Sequence, residues 1–463
     1  MAAFGHDPAQ WYGGSLADIY ADDPAELATL QLGALAARLT SLRDHLPALG
    51  QMADMAGIST IDRLGDVVPL LFDHAVYKSY PAALLTRGRF DAMTRWLARL
   101  TTVDLGGVDL GGCTTIDDWI IRLEQQTELT LCHSSGTTGT MSFLPWTQQE
   151  YARAGAQLPV LYLAEGTTGE AVDVIYPFYR SGAGSQMRWN EQYLSQFCKG
   201  DEARFHALYP GRASADLLSL AGRLQNARTL GQTPPPIPGA LQTRFADFLR
   251  ARANGAAETD RFLAATIESL RGKRVFMAAP WTYLHPLAVA GLQRGERAVF
   301  DPGSIILTGG GAKGMKPPDG WEEQVCAFAG VDRLSKGYAM SELSAIFPMC
   351  ALGHYHVPPW IIPFVLDPRT GKPLTGPAET GQAAFFDLLP DTRWGGFTTG
   401  DKITLYRGQD CGCGKRGAYL DAAIDRLGAG DGGDDKITCA ATVAAYEDIA
   451  DTGAPIWESG HAH

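Results

Sequence analysis

The sequence predicts an α/β protein in which mixed sheets are flanked by helices and followed by a β-rich part. Three observations carry that prediction. Residues 16–105 place apolar side chains mainly at helical spacing. From about 129 onward, short apolar runs ended by Pro or Gly alternate with helical stretches. Beyond 355, strand-like runs follow one another. At ~150 residues per domain, a chain of 463 residues has room for about three domains. The divisions read here are a helical region 1–125, a core 126–430 that includes the β-rich part, and a short tail 431–463.

Each element has a local reason. Asp23 and Pro24 are start signals for the helix in AELATLQLGALAARLTSLRDHL, and RFDAMTRWLARL fits a second helix. LTLCH and SFLPWT, on either side of SSGTTGT, read as strand, small-residue loop and strand. VDVIYPFY (172–179) and KRVFMAAP (273–280) read as buried strands. GQTPPPIPG (231–239) is a stiff connector between helices. SIILTGG is a strand, WEEQVCAFAG a helix and DRLSKGYAMSE a strand and turn. WIIPFVLDP and GQAAFFDLL then suggest antiparallel strands, and LGAGDGGDD (427–435) a Gly/Asp hinge.

Composition excludes several classes. Apolar residues at 45% and charged residues at 19% are ordinary for a globular protein. A net charge of −12 suits neither a dedicated nucleic-acid binder nor an anionic membrane surface. The N-terminus lacks the pattern of a secretory signal, and no apolar run approaches the ~20 residues of a membrane span, so a cytoplasmic location is expected. In a reducing compartment the eight cysteines point to metal or thiol chemistry.

Ser134, Ser135, Gly136, Thr137, Thr138, Gly139 and Thr140 put hydroxyls and unhindered backbone N–H groups in one loop, a composition suited to phosphate. It is not a Walker loop, because no Gly-Lys-Ser/Thr ends it. The bland alternative is a polar turn. Gly309, Gly311 and Gly314 also satisfy a dinucleotide fingerprint, but that motif needs a helix at its third glycine. Met-Lys-Pro-Pro-Asp-Gly follows instead, and a helix can start only near Asp319.

The loop resembles the phosphate-binding loop of the adenylate-forming superfamily of acyl and aryl ligases. Gly309-Gly310-Gly311, Tyr338-Ala339-Met340-Ser341-Glu342 and Thr399-Gly400-Asp401 resemble three further motifs of that superfamily, in its order. GGGAKG, YAMSE, CALGHYHVPPW, VLDPRTGKPL and CGCGKRG are similar to the acyl-protein synthetase component of bacterial luciferase fatty-acid reductase, and next to phenylacetate–CoA ligases, over roughly 130–440. The resemblance implies the N-terminal domain of an adenylate-forming ligase, with ATP and Mg²⁺ as cofactors and a small carboxylic acid as substrate. It places Thr137, Thr138 and Gly139 on the leaving phosphates, Glu342 on Mg²⁺, Tyr338 beside adenine, Asp401 on the ribose hydroxyls and Arg416, in CGCGKRG, at the nucleotide.

The sequence departs from that pattern twice. Met141-Ser142 replaces the usual Pro-Lys pair of the loop, leaving Lys313 as the nearest substitute for its charge, with a solvated lysine as the alternative. Only about 28 residues follow Asp435, so the usual rotating C-terminal domain is expected to be truncated.

Cys350, His354, His356, Cys411 and Cys413 form a CxxxHxH…CxC arrangement of the residue types that structural Zn²⁺ requires. The resemblance to phenylacetate–CoA ligases selects Cys350, His356, Cys411 and Cys413; two unrelated pairs of ordinary residues are the alternative. Trp281, Tyr283 and His285 are acyl-pocket candidates, or core aromatics. His133 faces the acid or packs in the core. Cys439 matches a late cysteine of the luciferase synthetase and is a candidate acyl acceptor, with an inert thiol as the alternative. The expected activity is ATP-dependent adenylation of a carboxylic acid with transfer to a thiol on the chain, a carrier protein or coenzyme A. SSGTT followed by FLPWT also resembles the plant auxin-conjugating amido synthetases, which makes an amine acceptor the second reading. A zinc-stabilised interaction protein with a degenerate nucleotide site is the non-enzyme alternative.

Overall fold

Asp23 does what its position predicts: its carboxylate accepts from the backbone N–H groups of Ala25 and Glu26, and helix α1 (Pro24–Leu42) starts at the following proline. The structure, a computed structural model, describes residues 19–134, 140–158, 169–309 and 317–428. The second expected helix is α2 (Phe90–Leu97). Helix α3 (Ile116–Gln126) opens on a capping box between Thr115 and Asp118. It leads into a hairpin of β1 (Leu129–His133) and β2 (Phe143–Thr147), which brackets the Ser/Thr/Gly loop. The base of that loop is closed by Ser134, whose backbone N–H donates to the Ser142 carbonyl and whose Oγ accepts from the Ser142 N–H, both at 3.0 Å. Thr147 then caps helix α4 (Gln148–Gly155).

The next strands, β3 (Asp173–Ser181), β4 (Phe205–Arg212), β5 (Val275–Ala278), β6 (Ile305–Gly309), β7 (Ser335–Tyr338) and β8 (Phe347–Pro348), make one sheet in the order β4-β3-β5-β6-β7-β8. It is parallel throughout except for β8. The continuous apolar runs of β3, β5 and β6 follow from burial on both faces of a parallel sheet. The chain leaves β3 to form β4 on one side and returns to form β5 on the other, so a switch in strand order lies between β3 and β5. In such sheets ligands sit beyond the carboxyl ends of the strands near that switch.

The β-rich part is a seven-stranded antiparallel sheet. Strands β9 (Tyr355–His356), β10 (Ile361–Leu366), β11 (Pro373–Leu374), β12 (Ala378–Asp387), β13 (Gly396–Tyr406) and β14 (Tyr419–Leu420) run in the order β11-β10-β12-β13-β14-β9, and β15 (Asp425–Arg426) pairs with β13. The antiparallel pairing of WIIPFVLDP with GQAAFFDLL is present as β10 against β12.

The N-terminal helices serve two cores. Leu35 and Leu39 of α1 share a core with Phe385 and Phe386 of the antiparallel sheet and with Trp394 of the β12–β13 connection. Phe90, Trp119 and Leu123 pack with Leu131, Phe143 and Val174. A third core joins β5 and β6 to helices α5 (Gly255–Leu270), α6 (Trp281–Gln293) and α7 (Trp321–Ala329). Helix α7 starts at Trp321, seven residues beyond Gly314, where a dinucleotide fingerprint would need its helix. Among the described residues no helix is long and apolar enough to cross a membrane.

Candidate functional site

Two sheets meet at Tyr338. It ends β7, is buried, and donates from its hydroxyl to Oδ2 of Asp401 on β13 at 2.8 Å. The ladder between β13 and β15 sets Asp401 opposite Arg426, whose guanidinium reaches Asp401 Oδ1 at 3.0 Å. Three side chains from three strands therefore converge at the carboxyl end of β7. Just beside them, a Cβ on Gly309 would lie 2.3 Å from the Gly337 carbonyl oxygen, so β6 can approach β7 this closely only with glycine at its last position.

Glu342 follows in the turn after β7. Its Oε2 accepts from Ser341 Oγ at 3.0 Å. Burial pushes its carboxyl above the usual range, while the Ser341 hydroxyl and the Arg393 charge pull in the opposite direction. Ala339 is exposed, and Met340 is partly buried against the core.

Ser134 is half-buried at the entrance of the Ser/Thr/Gly loop. Ser135, Gly136, Thr137, Thr138 and Gly139 lie outside the described residues, as do Gly310, Gly311, Lys313 and Cys439. His133 is 2% exposed and stands edge-on to Phe143. Its Nδ1 lies 3.0 Å from the Ser134 carbonyl, and burial pushes its pKa down to about 4. The imidazole is thus buried and held neutral.

Arg416 is tied to the start of the described chain. Its backbone N–H donates to the Tyr20 carbonyl at 2.7 Å, and it lines a groove with Tyr20, Leu27, Pro359 and Arg407, none of them a nucleotide candidate. The arginine on Asp401 is Arg426. The sequence signal for it is an Asp-Arg pair immediately before the Gly/Asp hinge.

The acyl-pocket candidates separate. Tyr283 is buried edge-on against Phe178, with ring centroids 5.3 Å apart. Trp281 opens α6 and lies near Trp321, and His285 bonds Gln324 at 2.6 Å. Tyr283 thus belongs to the core behind β3, and the other two lie along the neighbouring starts of α6 and α7.

The metal candidates do come together. The ligand atoms of Cys350, His356, Cys411 and Cys413 lie within 4.8 Å of one another. Cys350 Sγ is 3.7 Å from Cys411 Sγ, and Cys413 Sγ is 3.2 Å from His356 Nε2. Two thiolates at ~2.3 Å from one tetrahedral zinc would stand about 3.8 Å apart. Burial and the Lys415 charge push His356 down to about 4, keeping it as the neutral imidazole that a metal binds. His354 stands beside the set, with Nδ1 3.1 Å from Cys411 Sγ.

Neither a described protein family nor a curated protein matches the sequence. Solved structures do match the fold. Two are of a 2-hydroxyisobutyryl-CoA ligase in complex with 2-HIB-AMP and CoA, one in an open conformation and one in the thioesterification state. Both have a TM-score of 0.50 over 88% of this chain, at 12% and 14% identity, covering 76% and 70% of those chains. With mixed sheets flanked by helices and a β-rich part beyond them, this chain has the fold of the adenylate-forming CoA ligases.

Proposed function

We propose that this protein adenylates a small carboxylic acid with ATP and passes the acyl group to a thiol. The observation that carries the reading is the Tyr338–Asp401–Arg426 junction beside Gly309 and Glu342, at the carboxyl ends of β6 and β7. Asp401 offers a carboxylate to the ribose hydroxyls, and Tyr338 offers an aromatic side chain to the base. An oxygen of the acid attacks the α-phosphorus of ATP, the bond to the β-phosphate oxygen breaks, and pyrophosphate leaves. The Ser134–Thr140 loop would hold that leaving group through hydroxyl and backbone N–H donors. Glu342 would hold Mg²⁺, which supplies charge neutralisation at the phosphates when bound. A thiolate then attacks the acyl carbonyl and AMP departs.

The Cys350, His356, Cys411 and Cys413 set suits one structural Zn²⁺, because four side-chain ligands close a tetrahedral site. Cys439 is our candidate for a thiol within the chain. The test is pyrophosphate release across a panel of acids, with ATP and Mg²⁺, followed by addition of coenzyme A, carrier-protein thiols or amines. Labelled acid retained on denatured protein, released by hydroxylamine and absent from Cys439→Ala, supports acylation of the chain. Efficient coenzyme A thioester without such a label transfers the acceptor role to coenzyme A, and turnover only with amines replaces the thiol reading.

A further inference from the structure

Glu342 sits on a turn whose backbone is gripped from behind by groups that the proposed chemistry does not use. Trp146 Nε1 donates to the Ser341 carbonyl at 3.2 Å, and Arg393 donates to the Glu342 carbonyl at 3.3 Å. The far side of the turn is held by Asp387, which accepts from the Ser344 N–H at 2.6 Å and from its hydroxyl at 2.9 Å. The Arg393 guanidinium lies 3.9 Å over the Trp146 ring, so the two donors brace each other.

Arg393 is itself firmly placed. It lies in the connection between β12 and β13, where fully buried Glu150 accepts from the N–H groups of Asp391 and Thr392 and from the Thr392 hydroxyl. Arg153 pairs with Asp391 at 2.8 Å, and Trp394 bonds the Leu70 carbonyl at 2.7 Å. The side chain is 1% exposed, and one guanidinium nitrogen has no hydrogen-bond partner among the described residues. A buried donor left without a partner is costly to keep. An apolar side chain of similar size would fill the same space without that cost. A packing role alone therefore explains Arg393 poorly, whereas a directed grip and a positive charge beside Glu342 and Asp387 both require a guanidinium.

We propose that Arg393 is a positioning residue for adenylation: braced on Trp146, it fixes the turn that aims the Glu342 carboxylate. This rests on the reading of Glu342 as the Mg²⁺ carboxylate. Groups that orient a metal ligand typically change metal affinity by about 10–100-fold when removed. Arg393→Met should therefore raise the Mg²⁺ concentration for half-maximal pyrophosphate release by about tenfold or more, with the KM for the acid within about twofold of wild type because the acid is not touched. Binding of Mn²⁺ in the presence of ATP, read from the electron-spin signal of free Mn²⁺, should weaken by the same factor. Trp146→Phe removes the donor to Ser341 but keeps an aromatic platform, and should shift both titrations in the same direction by a smaller factor. It decides the matter if Arg393→Met does not fold. Mg²⁺ and Mn²⁺ titrations of the folded variants that superimpose on wild type overturn the positioning role. A wild-type chain that needs no divalent ion, and binds no Mn²⁺ with ATP, overturns the reading of Glu342 beneath it.

Discussion

Replacing Asp401 with asparagine separates a nucleotide role from a structural one. The carboxylate has two side-chain partners, the Tyr338 hydroxyl at 2.8 Å and the Arg426 guanidinium at 3.0 Å. The Arg426 side chain is 54% exposed, so the ion pair is solvent-screened and contributes at most about 1 kcal/mol. The amide oxygen of asparagine can still accept from Tyr338. Stability should thus fall by about 1 kcal/mol or less. The effect on ATP should be larger. A hydrogen bond to a charged group is worth about 1.5–3 kcal/mol, which converts to roughly 10–150-fold in affinity. Because ribose is held alike in ground and transition states, the loss should appear in the KM for ATP, with kcat nearly unchanged. Urea denaturation and pyrophosphate release over an ATP series measure the two quantities. A variant that is destabilised yet keeps the wild-type KM for ATP would refute the assignment and leave Asp401 a structural link between the two sheets.

Three further outcomes follow from the geometry. Gly309→Ala places a methyl 2.3 Å from the Gly337 carbonyl oxygen; β6 and β7 must part, at a cost of about 1–3 kcal/mol in denaturant unfolding, and the KM for ATP should rise with it. Purified protein should contain about one zinc per chain by metal analysis, and Cys411→Ser should lower both zinc content and thermal stability; metal-free protein prepared without chelator would contradict this. His133 is held neutral, its pKa lowered from 6.5 to about 4 by burial. The unfolded chain therefore takes up its proton first as pH falls, and the associated stability is complete above pH ~6.5 and lost progressively toward pH ~4. Relative to His133→Asn, wild type should lose up to about 3 kcal/mol over that window in equilibrium denaturation, and parallel pH profiles would show that the imidazole is not buried neutral.

Signals local to the chain were the ones that could be read from it. Asp23 and Pro24 mark a helix start, and the apolar runs of β3, β5 and β6 mark buried parallel strands, because each depends on neighbours a few residues away. The CxxxHxH and CxC residues were also legible, since only a few residue types ligate zinc, and the fold brings together Cys350, His356, Cys411 and Cys413. What escaped depends on register between distant segments. Arg426 reaches Asp401 because β15 pairs with β13 at that position, and nothing in the residues around Arg426 discloses that pairing. His133 illustrates a second limit: nothing within LTLCH says which neighbours its imidazole meets, and its place beside Phe143 follows from the pairing of β1 with β2. The Arg393–Trp146–Glu342 arrangement joins residues from three regions of the chain through backbone carbonyls, which have no signature in residue type.

Glu342, Tyr338 and Asp401 are proposed to form part of a site that activates a carboxylic acid. Acid-dependent exchange of labelled pyrophosphate into ATP tests it most directly, because the exchange requires reversible acyl-adenylate formation and no acceptor. Exchange is expected with at least one acid of a broad panel, dependent on Mg²⁺, and reduced by about 10²-fold in Glu342→Gln, the scale expected for loss of a key electrostatic contact. Exchange that proceeds equally well in Glu342→Gln, or that never depends on an added acid, would contradict it.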